Sequence, residues 1–82
     1  MTADISYLTS EHRRVLSAVP GSGAGRADRH GDIIAASGLE YSYAVQLLSF
    51  LVSLGLVEKR IYSRDALYFR TPDGDREARR TA

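Results

Sequence analysis

The chain has 82 residues, 44% of them hydrophobic and 26% charged, which suits one small globular domain and is too short for two. Its 11 basic and 10 acidic residues give a formal net charge of +1, far from the imbalance of a disordered chain. It has no cysteine, which excludes disulfides and thiolate chemistry, and its two histidines argue against a multi-histidine metal centre within one chain.

The first predicted element is a helix from Ser10 to Val19, followed by a loop. A hydroxyl side chain at its start, Thr9 or Ser10, is suited to cap it. Pro20-Gly21 ends it, because proline disfavours helical geometry in the residue before it. The glycine-rich segment that follows lacks the Gly-Lys-Ser/Thr ending of a phosphate-binding loop, so we interpret residues 20–28 as a flexible connector.

Two more helices are predicted before residue 55. A short one runs from about Arg29 to Ser37, and Gly38 ends it by its freedom to adopt a positive φ. We interpret His30 as a solvated or capping residue, since no partner ligands are spaced around it. The third helix, from about Glu40 to Leu54, is the longest and contains no Lys or Arg.

The third helix carries three stripes of side chains at helical spacing. A first apolar stripe faces the predicted core, a second apolar stripe lies beside it, and the third is polar but uncharged. The members are Ala44, Leu48 and Leu51 in the first stripe, Tyr43, Leu47, Phe50 and Leu54 in the second, and Ser42, Gln46, Ser49 and Ser53 in the third. The helix is thus apolar over more than half of its girth.

The last third of the chain predicts a β-hairpin. Two extended segments flank a polar turn centred on Arg64, and in each of them successive residues would point to opposite faces of a strand. The first segment places Val57, Lys59 and Ile61 on one face and Glu58, Arg60 and Tyr62 on the other, and in the second Leu67, Phe69 and Thr71 alternate with Ala66, Tyr68 and Arg70. We expect the hairpin to close the open end of the core with the side chains of Val57, Ile61, Leu67 and Phe69.

The segment after the hairpin is predicted to be a turn and a tail. Thr71-Pro72-Asp73-Gly74 should stop the strand, and residues 75–80 are compatible with a final turn or a short helix. We therefore divide the chain into an arm (1–8), a helical part, a wing (56–71) and a C-terminal tail (76–82).

The predicted elements follow one another as helix, helix, turn, long helix and hairpin. Two segments, together with this order, carry a resemblance to a known family. These are Ile33-Ile34-Ala35-Ala36-Ser37-Gly38-Leu39, which enters the third helix, and Leu51-Val52-Ser53-Leu54-Gly55-Leu56-Val57-Glu58, which leaves it. Together they resemble the winged helix-turn-helix domain of small bacterial and archaeal transcription regulators of the MarR, PadR and ArsR type. The segment Tyr68-Phe69-Arg70-Thr71-Pro72-Asp73-Gly74 is similar to the exit of the wing in that group.

The resemblance implies an α+β, mostly helical fold, with a three-helix core and a C-terminal two-stranded wing. It implies sequence-specific binding of double-stranded DNA by a transcription regulator, often as a homodimer. The third helix would enter the major groove and the basic wing would hold the phosphate backbone. The expected DNA-binding residues are Ser42, Tyr43, Gln46 and Ser49 on the helix, with Arg29, Lys59, Arg60, Arg64 and Arg70 around the wing.

The alternative function is a winged-helix module that binds another protein through the second apolar stripe. Near-neutral net charge and the uncharged third helix favour this alternative, whereas the basic wing favours DNA. The expected contacts with a second copy or a partner are Tyr7, Leu8, Leu47, Phe50 and Leu54.

Catalysis is not expected, since no nucleophile with a base and no pair of carboxylates in a cleft is apparent. No cofactor and no metal are expected, and whether a small-molecule effector binds is left open. The arm carries Asp4 and no basic residue, and the most apolar stretch, residues 43–57, is short of the roughly 20 residues that cross a bilayer. We therefore expect a cytoplasmic protein without membrane contact.

Overall fold

The computed structural model describes residues 8–80. Four α-helices and three β-strands follow one another in this part of the chain. Their order and bounds are α1 (Ser10–Ala18), β1 (Asp28–Arg29), α2 (His30–Ser37), α3 (Tyr41–Ser53), β2 (Val57–Tyr62), β3 (Asp65–Arg70) and α4 (Pro72–Arg80). The fold is α+β, mostly helical, and is arranged as a winged helix.

Local hydrogen bonds fix where α1 begins. The hydroxyl of Thr9 accepts from the backbone N–H of His12, and Nδ1 of His12 accepts in return from the backbone N–H of Thr9, at 3.1 Å. This reciprocal pair satisfies two N–H groups at the helix end. Thr9 is therefore the cap of α1, and Ser10 is its first residue.

The turn between α2 and α3 depends on Gly38 and Glu40. Gly38 adopts a φ of 73°, a left-handed conformation that glycine takes without strain. The carboxylate of Glu40 then accepts hydrogen bonds from the N–H groups of Ser42 and Tyr43, both at 3.0 Å. The same two bonds lower the pKa of Glu40, because they stabilise its ionised form.

The sheet has three antiparallel strands in the order β1-β3-β2. The sequence predicted the hairpin of β2 and β3 but not the third strand, β1. The short strand β1 pairs Asp28 with Tyr68 and Arg29 with Leu67. The end of the predicted flexible connector is therefore held on the edge of the wing. A two-residue strand gives no periodic signal, so only its long-range pairing reveals it.

The inner face of the wing is the expected one in β2 and the opposite one in β3. Tyr68 and Val57 are buried, whereas Leu67 and Phe69 lie on the opposite face with Arg60 and are only partly buried. Ile61 is 63% exposed near the tip of the hairpin. Alternation identifies two faces but does not tell which one packs, and here a tyrosine takes the inner position.

The short helix that the sequence allows after the hairpin is present as α4, and it begins earlier than residue 75. It begins at Pro72, and its residues Gly74 and Glu77 are buried. Thr71 acts as its cap, since the Thr71 hydroxyl accepts from the N–H of Gly74 at 3.1 Å. Proline is well suited to the first helical position, where its missing N–H would have no partner.

One core joins the helices to the sheet. It is built from α1, α2, α3 and the start of β2, and is closed by Tyr68 of β3. Its buried members are Leu8, Val15, Leu16, Val19, Ile33, Leu47, Leu48, Leu51, Leu56, Val57 and Tyr68. The polar stripe of α3 lies on the side of that helix turned away from this core.

We expect Gly74→Ala to destabilise the fold and Gly31→Ala to leave it intact. A Cβ at Gly74 would overlap the carbonyl oxygen of Leu56, and backbone cannot move aside as a flexible side chain does. Overpacking of this kind costs about 2 kcal/mol or more of unfolding free energy. Gly31, also helical, has no atom within 4 Å of its added Cβ, so alanine there should raise stability by up to about 1 kcal/mol. Chemical denaturation of both variants tests the pair, and equal effects would contradict the close packing of α4.

Candidate nucleic-acid interface

The exposed side of α3 is polar and uncharged. Ser42, Gln46 and Ser49 are exposed and follow one another at helical spacing. Two tyrosines flank this stripe at its N-terminal end, Tyr41 at 56% and Tyr43 at 42% exposure. All four residues that the sequence predicts for base contact are thus on the solvent side of one helix.

A groove lies between α3 and the sheet, and residues of both line it. Its volume is about 390 Å³, and Ser49 of α3 and Lys59 of β2 both line it. At its other end Nε2 of His30 lies 2.8 Å from the hydroxyl of Tyr41. Sequence reasoning missed this pair, because nothing in the spacing of the two residues indicates that α2 and α3 bring them together.

The cations of the wing differ in how far they are neutralised. Arg29 pairs with Asp65 at 2.9 Å, and Arg60 pairs with Glu58, whose hydrogen bond raises the pKa of that guanidinium. Arg60 also lies over the ring of Phe69, 5.4 Å from its centroid. Both arginines are exposed, but each already has a carboxylate beside it.

Lys59 and Arg64 are the exposed wing cations that have no ion pair within residues 8–80. Arg64 stands at the turn of the hairpin, next to Ser63, whose φ is 57°. This turn borders the same depression as Arg29 and His30 at the start of α2. Lys59 therefore lies across a groove from α3, whereas Arg64 lies at the tip of the wing beside the start of α2.

Arg70 differs from the other wing cations, because its side chain is engaged by a residue of α4. It is partly buried, and its Nε lies 3.1 Å from Oδ1 of Asp75. Its backbone N–H donates to the carbonyl of Pro20 at 2.7 Å. Arg70 thus joins the end of β3 to α4 and to the loop after α1, and its contact with DNA stays a prediction.

The residues expected to meet a partner lie largely in the core of the monomer. Leu8 and Leu47 are 7% and 5% exposed, and both are core members. Phe50 and Leu54 are partly buried and pack against the same core, and Phe50 also contacts the His12 ring. Tyr7 lies outside the described residues. The second apolar stripe is therefore mainly part of the core.

Other features give no second candidate site. A groove of about 680 Å³ between α1 and α2 is lined by Arg13 and Arg14, but Arg13 is engaged by Glu77 of α4 at 3.6 Å. In the part of the chain that is described, no group of three or more His, Asp or Glu residues could hold a metal ion. None of the helices within residues 8–80 has the length and apolar character needed to cross a membrane.

No protein-family model matches the chain, and no curated protein sequence matches it significantly. The fold is similar to that of a solved structure of BpsR from Bordetella bronchiseptica. The DNA binding of BpsR is regulated by 6-hydroxynicotinic acid. The TM-score is 0.77 at 22% identity, over 98% of this chain and 56% of BpsR. The chain thus spans about half the length of that protein. At this identity the likeness shows the shared fold.

The Asp75 carboxylate should make the fold sensitive to acid. Its pKa is lowered from 3.8, first by the hydrogen bond from the Ser22 hydroxyl, with the Ser22 N–H and the Arg70 charge adding to it. Because the folded pKa is depressed, this stabilisation is present above pH 3.8 and is lost as the pH falls through the folded pKa.

Asp75→Asn should therefore lower stability at neutral pH and flatten its decline between about pH 5 and about pH 2. Urea denaturation at a series of pH values measures both effects. Asp32→Asn, which removes a carboxylate from an exposed position in α2, is the matched control. An Asp75→Asn profile as steep as that of the unaltered protein would argue against this role.

Proposed function

We propose that the chain is a double-stranded DNA-binding protein, acting as a transcription regulator of the MarR, PadR or ArsR type. In this proposal α3 lies in the major groove while the wing holds the phosphate backbone. The observation that carries it is the exposed polar stripe of α3 standing beside the unpaired cation Lys59, across one groove. The fold shared with a DNA-binding regulator supports the same function.

The exposed stripe suits contact with base edges. The major groove is wide enough to admit a helix, and hydroxyl and amide groups both donate and accept hydrogen bonds there. Ser42, Gln46 and Ser49 offer such groups on the outermost side of α3. No aspartate or glutamate in α3 itself would repel the phosphates on either side of the groove.

Backbone affinity in this proposal comes from the wing. Lys59 and Arg64 would neutralise phosphates directly, whereas Arg29 and Arg60 would first exchange a carboxylate for a phosphate. Each neutralised phosphate adds about 0.9 to the slope of log K against log salt. With a net charge of +1 and two unpaired cations on the wing, within the described residues, we expect a shallow slope.

The burial of most of the second apolar stripe weakens the alternative of a protein-interaction module. That alternative required the second apolar stripe of α3 to be free, but Leu47 is buried and Phe50 packs against the core. A homodimer, implied by the family resemblance, stays a prediction that light scattering on the purified chain can test. Regulation by a small molecule, such as that of BpsR by 6-hydroxynicotinic acid, can be tested on this chain by ligand screening.

Arg64→Gln should weaken duplex binding and reduce the salt dependence. Loss of one phosphate contact is expected to lower the slope of log K against log salt by about 1, with little change in sequence preference. Fluorescence anisotropy of a labelled mixed-sequence duplex, titrated at several salt concentrations, measures the slope.

Arg76→Gln is the matched control for this test. It removes the same charge from an exposed side chain in α4, which packs on α1 and on the end of β3. The control should bind as the unaltered protein does. Absence of duplex binding at low salt would refute the proposed function, and equal losses in both variants would refute the role of the wing.

A further inference from the structure

The chemistry of α3 points to a particular class of duplex: we infer that the base pairs facing Gln46 are A·T pairs. This inference rests on the proposed function, since it concerns what the helix recognises once it lies in the major groove. It goes further, because it names the base pairs and the side chain that selects them. The hydrogen-bonding and apolar groups on the exposed side of α3 match the major-groove edges of some bases and not of others.

Guanine is poorly matched by α3. Its major-groove edge presents two acceptors, O6 and N7, and the best partner for them is the paired donor of an arginine or a lysine. The helix from Tyr41 to Ser53 contains neither residue. Lys59, a wing cation that lines the same groove, lies on β2 and not on the helix, and the proposed function assigns it to the phosphate backbone.

Cytosine is poorly matched for a different reason. Its major-groove edge presents the N4 amino donor, which a carboxylate accepts best. The helix itself has no acidic residue, and the carboxylate that precedes it, Glu40, already accepts a hydrogen bond on each of its oxygens. One oxygen accepts from the N–H of Ser42 and the other from the N–H of Tyr43. That carboxylate is therefore committed to capping the helix.

Adenine is matched by Gln46. The side-chain amide pairs an acceptor with a donor, which is the complement of the adenine N6 and N7 edge. Gln46 is exposed at the middle of the polar stripe, one turn from both Ser42 and Ser49. Among residues 8–80 its amide forms no hydrogen bond with another group, so it is free to bind a base.

Thymine is matched by the aromatic side chains beside the stripe. Its major-groove edge carries the C5 methyl group, which favours apolar contact. Tyr41 and Tyr43 are the exposed tyrosines of α3 and flank the N-terminal end of the stripe. Along the length of the helix, both lie in the same N-terminal half as Gln46. An A·T pair would thus present its adenine to the amide and its methyl group to an aromatic ring.

The first experiment selects bound duplexes from a pool with about 20 random base pairs, two helical turns. Recovered sequences should be enriched in A·T at the central positions of the bound site. Replacing a selected A·T pair with G·C should weaken binding about tenfold, the effect of one well-matched base contact. Anisotropy with the individual duplexes measures this ratio.

Inosine·cytosine pairs separate the two grooves. Inosine lacks the 2-amino group, so such a pair resembles G·C in the major groove and A·T in the minor groove. Because α3 is proposed to lie in the major groove, the inosine·cytosine duplex should bind as weakly as the G·C duplex. Binding equal to that of the A·T duplex would assign the preference to the minor groove and overturn the inference.

Variants at Gln46 link the preference to its side chain. Gln46→Ala should remove the A·T preference while keeping the salt slope, and Gln46→Glu should move the preference toward pairs that present the cytosine amino group. Ser17→Ala, an exposed substitution in α1, is the control and should keep the preference. Circular dichroism checks that each variant is folded.

The outcomes distinguish this inference from the proposed function. If the unaltered protein binds no duplex at low salt, both are refuted. If it binds duplexes but selects G·C or shows no preference, DNA binding stands and the A·T inference is refuted. The A·T inference is also refuted if Gln46→Ala keeps the full A·T preference. If the protein prefers G·C and Lys59→Gln removes that preference, Lys59 rather than α3 selects the base pair, and the inference is refuted as well.

Discussion

The position of the wing relative to α3 depends on one crowded junction of backbone groups. The carbonyl of Leu56, just after α3, accepts from the N–H of Thr71, while the Thr71 hydroxyl donates to the carbonyl of Gly55 at 2.6 Å. Gly74 presses its bare backbone against the same Leu56 carbonyl. The end of α3, the start of β2, the end of β3 and the start of α4 are thus fixed together. This junction determines how far Lys59 stands from Ser49.

The proposed interface separates selectivity from charge. The side chains of α3 that face solvent are uncharged, whereas the exposed cations lie on β1, β2 and the hairpin turn. Phosphate contacts carry little sequence information, and base contacts carry most of it. A helix without lysine or arginine cannot hold itself in the groove by charge. The wing must therefore supply the affinity, which makes the rigid junction at Leu56 necessary for α3 to read bases at all.

The spacing of apolar residues and the residues that end helices predicted most of the fold. The features that were not predicted depend on packing between distant segments. The helices and the hairpin follow from apolar spacing and from glycines such as Gly38, because these signals act between near neighbours. The exposed stripe with Gln46 follows from the same spacing. The pairing of β1 with β3, the choice of Tyr68 over Phe69 for the core and the contact of His30 with Tyr41 depend on how distant segments meet. The start of α4 is a different case, because threonine followed by proline is itself a signal for a helix start.

Carboxylates beside the wing act as built-in counterions. Asp65 lies against Arg29 and Glu58 against Arg60, so a phosphate that approaches either arginine must displace a carboxylate rather than a salt ion. Such an exchange gains little free energy, because one anion replaces another. An arginine that keeps its carboxylate nearby neutralises a phosphate only in part and displaces fewer of the cations condensed on the DNA, so the salt dependence of binding should report mainly on Lys59 and Arg64. The nearly neutral net charge is then compatible with a DNA-binding surface, since selectivity would rest on α3 and only a few phosphates would need to be held.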